Sequence, residues 1–435
     1  MSVEGQKIKS DDAFEHHSDA VGSLDARHKV PTKTYLWLFA FQLLKHVHDL
    51  LPLKTWSPYW IGKWVDYVAR YTAALVAIPI KRMSVAIMCL GFWFLLSKYN
   101  FANDSDKSVI YGVFGVIVLF ASVLKVATIS LSIAIDRDWV VILTKGNSSA
   151  LTTVNTNMRR IDLISKFATP LLFGFLSTSQ GVIFCVGLTG FWNLASMIPE
   201  FLIIRHVYKL VPELSQSKVL EEEHSDEKNN TDSKMGVLSR FYHASLAYSM
   251  IYMSVLSIAG TMVSYLSWKG YSEYVIGIMR SLMTALAFLG TFVMPIMKRF
   301  LGVYRTARAS IWIEVASLIP VIVSFFLAQN KLSAVLLFGG ISLSRLGVWV
   351  FDLSQTQIMQ ERVENAQAGL INGWQYSLTN VFDLGQFLLT MIWSDPRQFH
   401  IPAVISFVMV VLAAITFTSQ YHKVARGTIN AQPLN

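Results

Sequence analysis

The sequence predicts an all-α polytopic membrane protein built as a two-lobe helical bundle, on three observations. Hydrophobic residues make up 53% of the 435-residue chain and charged residues only 15%, against about 25% charged in soluble proteins. Mean hydropathy is +0.45, and charges this sparse cannot cover the area of 12 Trp, 16 Tyr and 27 Phe in water. From residue 71 onward, long apolar runs recur, each approaching the ~20 residues that a helix needs to cross ~30 Å of hydrocarbon. Open strands leave backbone groups unpaired in lipid, so the spans are expected as helices. A soluble enzyme, a disordered chain and a disulfide scaffold are excluded.

In chain order, residues 1–33 mix acids, bases, His and Ser and read as a disordered tail without a signal-peptide pattern. Residues 34–211 read as an incomplete N-lobe. Within it, 35–53 (YLWLFAFQLLKHVHDLLPL) is apolar but broken by Lys45, His46, His48 and Asp49. A crossing there needs a second one before residue 71. The stretch 54–70, with Pro58, Lys63, Asp66 and Arg70, is too short for that at ~1.5 Å per residue. Residues 35–53 are therefore expected as an interfacial or re-entrant segment, with a displaced partial span as the competing reading. About ten clear spans follow, near 71–97, 108–134, 164–184, 186–209, 242–266, 273–297, 306–327, 332–353, 368–393 and 400–420. The polar, acidic stretch 212–240 reads as a cytoplasmic linker. Residues 241–420 read as a six-helix C-lobe and 421–435 as a second tail.

Charge sets the orientation. The 37 Lys+Arg against 28 Asp+Glu leave +9, a basic balance that in a membrane protein marks cytoplasmic loops rather than nucleic-acid binding. The joint 136–163 carries Arg137, Lys145, Arg159 and Arg160, and the joint 298–308 carries Lys298, Arg299, Arg305 and Arg308. The alternate joints 267–272, 328–331 and 394–399 hold one basic residue each. Both termini are thereby expected in the cytoplasm.

Ionisable and amide groups inside spans are costly and usually face a cavity or a partner. In 368–393, Asn372, Gln375, Thr379, Asp383, Gln386 and Thr390 fall at steps of 3, 4, 4, 3 and 4, one helix face. Such a stripe lines water or a substrate route, or forms a helix–helix hydrogen-bond seam. Arg345 and Asp352, seven residues apart, read as gate ion pairs or as a static structural pair. Glu200 reads as a proton or cation site or as a buried hydrogen-bonding group. Lys125, Arg280 and Glu314 read as snorkelling or paired groups. Asp66, Arg70, Asp138, Arg159 and Asp162 cluster beside span ends and read as an inward gate or as a solvated, positive-inside face. Trp139, Trp192 and Trp349 fit interfacial belts.

Other chemistry finds no support. Cys89 and Cys185 sit in apolar runs with no C-x-x-C pair. The histidines make no metal-ligand spacing: His16 and His17 lie in the tail, and His46 and His48 cannot share a helix face. No Walker A loop, G-x-G-x-x-G, H-E-x-x-H or G-x-S-x-G occurs, so ATP-driven pumping and hydrolysis are unsupported. Asn103-Asp104-Ser105 forms a glycosylation sequon close to the membrane on the face opposite the basic joints.

Five strings carry a family resemblance: AIDRDWVVIL (134–143), NTNMRRID (155–162), GFWNLASMIPEFLIIRHVYKLVPEL (190–214), IYMSVLS (251–257) and SRLGVWVFDLSQTQIMQERVENAQAGLINGWQYSLTNVFDL (344–384). In this order, across residues 62–420, they resemble the ferroportins, the iron exporters. The resemblance implies a major-facilitator-like fold of twelve spans in two lobes, with the first two family spans missing or partial here. It implies an integral plasma-membrane protein, multi-pass with cytoplasmic termini, that exports ferrous iron by alternating access, with proton exchange proposed for the family. Iron is then a substrate and no cofactor is required; the partners are the lipid bilayer and a divalent metal ion, with no nucleic acid.

The resemblance also sets expectations for individual residues. Ferroportin's first span supplies Asp and His to one metal site, which has no alignable counterpart here. The second vertebrate site pairs a Cys on the seventh span with a His on the eleventh; the matching positions are Gly260 and Gln386. A ferrous ion there lacks thiolate and imidazole, and hepcidin binding through the Gly260 position is not expected. Asp383 becomes the metal ligand, with Gln386, Asn372, Gln375 and Glu200 as further substrate-binding residues. Asp66, Arg70, Asp138, Arg159, Asp162, Arg345 and Asp352 form the gate. A non-transporting or truncated relative with a regulatory or partner-binding role is the alternative, and a carrier of an organic or anionic solute a third reading.

Overall fold

The computed structural model describes residues 52–67, 70–98, 107–211, 232–257, 261–328, 330–363 and 367–429, all within one compact unit from Leu50 to Asn435. The tail 1–33, the segment 35–51, the sequon at 103–105, most of the acidic linker and Gly260 lie outside the described residues, as do the side chains of Asp66 and Arg70.

The described residues are helical almost throughout, as a chain without polar partners in lipid must be. The N-lobe holds α1 (Pro52–Tyr67), α2 (Arg70–Lys98), α3 (Lys107–Leu131), α4 (Ser148–Gln180) and α5 (Val182–Leu210). The C-lobe holds α6 (Asp232–Ile251), α7 (Thr261–Trp268), α8 (Glu273–Leu301), α9 (Val303–Phe326), α10 (Lys331–Arg362), α11 (Ala368–Ile392) and α12 (His400–Ile429). Thus residues 232–240, expected within the linker, are already helical. Seven helices are long and apolar enough to cross a membrane among the described residues, fewer than the ten expected. The other three expected spans are helical too, and each carries a polar face or a break.

Three departures from the expected spans have physical causes. First, the expected joint 136–163 is mostly helix. α3 runs on through a π-helical stretch, Ser132–Trp139, and a further α-turn, Val140–Leu143. α4 then starts at Ser148 because the Asn147 side chain accepts the Ser149 and Ala150 N–H groups. Second, the expected span 242–266 is broken after Ile251. The freed backbone finds side-chain partners: Ser406 on α12 accepts the Val255 N–H at 3.0 Å and donates to the Met253 carbonyl at 3.1 Å. Arg345 on α10 donates to the Leu256 carbonyl at 3.1 Å. Irregular backbone at membrane depth needs such substitutes. Third, α4 meets α5 at Gly181 and α8 meets α9 at Gly302, with φ of 85° and 75°. Only glycine turns such a corner without strain.

The C-lobe encloses a continuous apolar core, with Leu256, Met262, Ile311, Leu318 and Phe351 almost wholly buried. α1 crosses α11 at van der Waals distance. A Cβ on Gly62 falls 2.1 Å from the Gly369 carbonyl oxygen, and one on Gly373 falls 2.3 Å from the Pro58 carbonyl oxygen. This small-residue crossing joins the N-lobe to the C-lobe.

Candidate functional site

α4 presents Ser148, Thr152, Asn155 and Arg159 at steps of 4, 3 and 4, one helix face. That face meets α10. The Ser148 hydroxyl donates to Glu361 at 2.6 Å, and Thr152 donates to the Gln357 amide oxygen at 2.9 Å. Asn155 donates to the Gln360 amide oxygen at 2.6 Å, and Gln360 donates to the Asp136 carbonyl at 2.7 Å. Arg159 forms an ion pair with Asp352. A second contact comes from α8: Lys298 donates to the Ser148 carbonyl at 2.8 Å, and Arg160 donates to the Thr291 hydroxyl at 3.1 Å. The end of the bundle that carries the basic residues is thus zipped shut between lobes.

Above this zip, two cavities of about 360 Å³ each draw their walls from both lobes and share Arg159, Lys166, Tyr248 and Tyr252. The first is polar, with Ser132, Asp136, Arg137, Thr356 and Tyr376 in its wall. The π-helical stretch aims Asp136 here, where the Ser132 hydroxyl donates to it at 2.8 Å. The second contains Asp383, Gln386, Glu314, Arg345 and the broken-helix residues Ser254 and Ser257.

Asp352 and Arg159 stand at the boundary between the two. Asp352 is buried and also accepts the Tyr248 hydroxyl at 2.7 Å. Arg159 reaches Asp162 at 3.4 Å, and its guanidinium lies 4.7 Å from the Trp349 ring centroid. Lys166 holds Asp162 at 2.8 Å. Trp349 therefore lines the second cavity, and Trp139 is buried, whereas both were expected in interfacial belts; Trp192 is exposed.

The structure divides the expected site residues. The α11 stripe splits: Asp383 and Gln386 line the second cavity, whereas Asn372 and Gln375 are buried in a seam and reach neither. Asn372 donates to its own helix at Ala368, and Gln375 accepts from Gln355 at 3.4 Å. The reason is the α1 crossing and Ser249 on α6, which cover the first half of α11. Glu200 is also away from both cavities. It accepts from Arg82 at 2.7 Å, and Arg82 donates to Asn193 at 3.0 Å, tying α2 to α5. Arg345 and Asp352 do not pair with each other: Arg345 holds the Leu256 carbonyl. Asp138 is buried within the π-helical stretch.

Sequence reasoning missed Tyr248 and Tyr252, Asp136 and the Gln357–Gln360–Glu361 face, and it read Glu314 only as a snorkelling or paired group, whereas Glu314 lines the second cavity. The Gln357–Gln360–Glu361 face lies inside a quoted string, FDLSQTQIMQE, whose polar residues recur at helical spacing. Among the described residues no three His, Cys, Asp or Glu side chains converge to hold a metal ion.

The geometry agrees with what the chain is similar to. The family model for ferroportin1 (FPN1) matches residues 53–244 and 237–410. Solute carrier family 40 member 1 of Oryza sativa subsp. japonica is 30% identical over 323 residues, covering 69% of this chain and 67% of the relative. Ferroportin of Homo sapiens is 23% identical over 473 residues, covering 85% of this chain and 82% of the relative. A crystal structure of a bacterial homologue of the iron transporter ferroportin, in an outward-facing state with soaked iron, matches with a TM-score of 0.75 at 22% identity. It covers 91% of this chain and 92% of that chain. A major facilitator superfamily proton:xylose symporter matches with a TM-score of 0.62 at 11% identity, over 83% of this chain and 82% of that one. The fold shared with both is the major-facilitator-like bundle.

Proposed function

Because the chain belongs to the ferroportin family, we propose that it moves ferrous iron out of the cytoplasm by alternating access between its two lobes. The family is one of multi-pass membrane transporters, not enzymes, and iron is cargo rather than a cofactor. The observation that carries the proposal is a cavity with Asp383 and Gln386 in its wall, beside a closed interlobe zip. The zip lies at the end rich in Lys and Arg, which supports a cytoplasmic position for it under the positive-inside rule. The plasma membrane is the proposed residence, with both termini cytoplasmic.

In the mechanism, the Arg159–Asp352 pair and the α4–α10 hydrogen bonds hold the cytoplasmic end closed. Each neutral bond contributes about 1 kcal/mol net, so a few together make a barrier that thermal motion and cargo affinity can still reverse. Iron entering from the cytoplasm needs this zip open; leaving on the other side needs it closed. Asp383 supplies the carboxylate that compensates the ion, and Gln386 supplies a neutral amide oxygen. Arg345 anchors the broken helix between α6 and α7, whose two halves can hinge about the break.

Radio-iron efflux from cells expressing the chain tests the proposal. Efflux well above vector is expected, falling at least tenfold in Asp383→Ala at equal surface expression. Efflux at the vector level overturns it.

A further inference from the structure

Glu314 has no place in the mechanism above. It lies in the middle of α9, 1% exposed, at a close approach of α9 to α10. A Cβ on Gly347 falls 2.9 Å from the Glu314 backbone nitrogen. The side chain reaches the wall of the second cavity, and its Oε2 has no hydrogen-bond partner. An orphaned carboxylate oxygen at membrane depth is costly, and marks a place where a cation or a partner is taken up.

The charges around it are unevenly settled. Asp352 is held by Arg159 and Tyr248, and Lys166 holds Asp162. Arg345 has its Nη2 on the Leu256 carbonyl and its Nε without a hydrogen-bond partner, and it shares the cavity wall with Glu314 and Asp383. Among the described residues, those forming the cavity wall include no Cys, His or Met. Whatever ion stops here meets oxygen: two carboxylates, the Gln386 amide, and the hydroxyls and carbonyls of the broken helix.

We propose that Glu314 is a ligand for the transported cation, completing with Asp383 and Gln386 an oxygen-only site that takes Mn²⁺ as readily as Fe²⁺. This rests on the transport reading above and names the ion class that the site accepts. Carboxylate, carbonyl and water ligands suit hard divalent ions, whereas thiolate and imidazole favour softer ones. Since no three acidic, His or Cys side chains converge among the described residues, water and the amide fill the remaining positions.

The test is calorimetric titration of the purified full chain in detergent with MnCl₂ and, anaerobically, with FeCl₂, with melting temperature as the folding control. Wild type is expected to bind the two ions within about tenfold of each other. Glu314→Gln is expected to weaken Mn²⁺ at least tenfold and Glu314→Asp to recover part of the loss. Glu314→Cys is expected to raise the preference for Cd²⁺ over Mn²⁺ at least tenfold, a change that a merely structural acid does not produce. Mn²⁺ affinity within twofold of wild type in Glu314→Gln, with the Cd²⁺ preference unmoved in Glu314→Cys, overturns the assignment. If Asp383→Asn abolishes binding while Glu314→Gln keeps it, only Glu314 is excluded. Wild type that binds neither ion overturns the transport reading with it.

Discussion

Asp352 is the residue on which closure turns. It sits on α10 one helical turn from Trp349, so one guanidinium, that of Arg159, meets a carboxylate and an aromatic face together. Removing the carboxylate charge leaves Arg159 half-compensated in a nearly closed space. Asp352→Asn is expected to weaken the closed state by about 1–3 kcal/mol, a roughly five- to 150-fold shift toward opening at the cytoplasmic end. The rate at which a membrane-impermeant thiol reagent modifies Thr356→Cys from that side reads the shift. Glu200 gives the opposite expectation. It ties Arg82 far from either cavity, and both side chains are about a quarter exposed, so the pair adds little. Iron efflux by Glu200→Gln is expected to stay within twofold of wild type. Asp352 and Asp383 were legible because charge at membrane depth is rare, and Arg159 because charges cluster beside the span ends. The partner of each was not, because nothing in a string of letters says which helix faces which. Asn372 and Gln375 share a face with Asp383, yet a helix face longer than the cavity is tall continues into a buried seam between helices.

At the scale of elements, lipid makes helices easy to read and their ends hard. The polar half of α4 looks like a cytoplasmic loop because Ser148, Thr152, Asn155 and Arg159 face another lobe rather than lipid. The break after Ile251 is hidden for a similar reason: IYMSVLS is apolar enough to continue a helix, and only Ser406 and Arg345, distant in sequence, show who satisfies the freed backbone. The α1–α11 crossing depends on glycines whose spacing says nothing until the two helices meet. Gly62→Ala drives a methyl group into the Gly369 carbonyl, a backbone group that cannot rotate away. Such overpacking is expected to cost about 1–3 kcal/mol, read as a lower melting temperature. Gly112→Ala, with nothing within 4 Å of its Cβ, is the matched control and is expected to leave the melting temperature unchanged.

For the whole molecule, the two-lobe plan was visible in the acidic stretch between two sets of apolar runs and in the alternation of basic and sparse joints. What composition could not convey is that the lobes meet through a ladder of amide and hydroxyl groups with the Arg159–Asp352 ion pair at its inner end. A ladder of individually weak bonds suits a device that must open in every cycle; a large apolar interface would not release. The central claim is that opening of this ladder admits the cargo. In a background with Cys89 and Cys185 replaced, Thr152→Cys and Gln357→Cys place one thiol on each lobe across the ladder. Joining them with a short, reducible bis-thiol reagent, then measuring iron flux in proteoliposomes, tests the claim most directly. Flux is expected to fall to background when linked and to return on reduction, with either single-cysteine protein unaffected by the reagent. Undiminished flux through the fully linked protein contradicts the account.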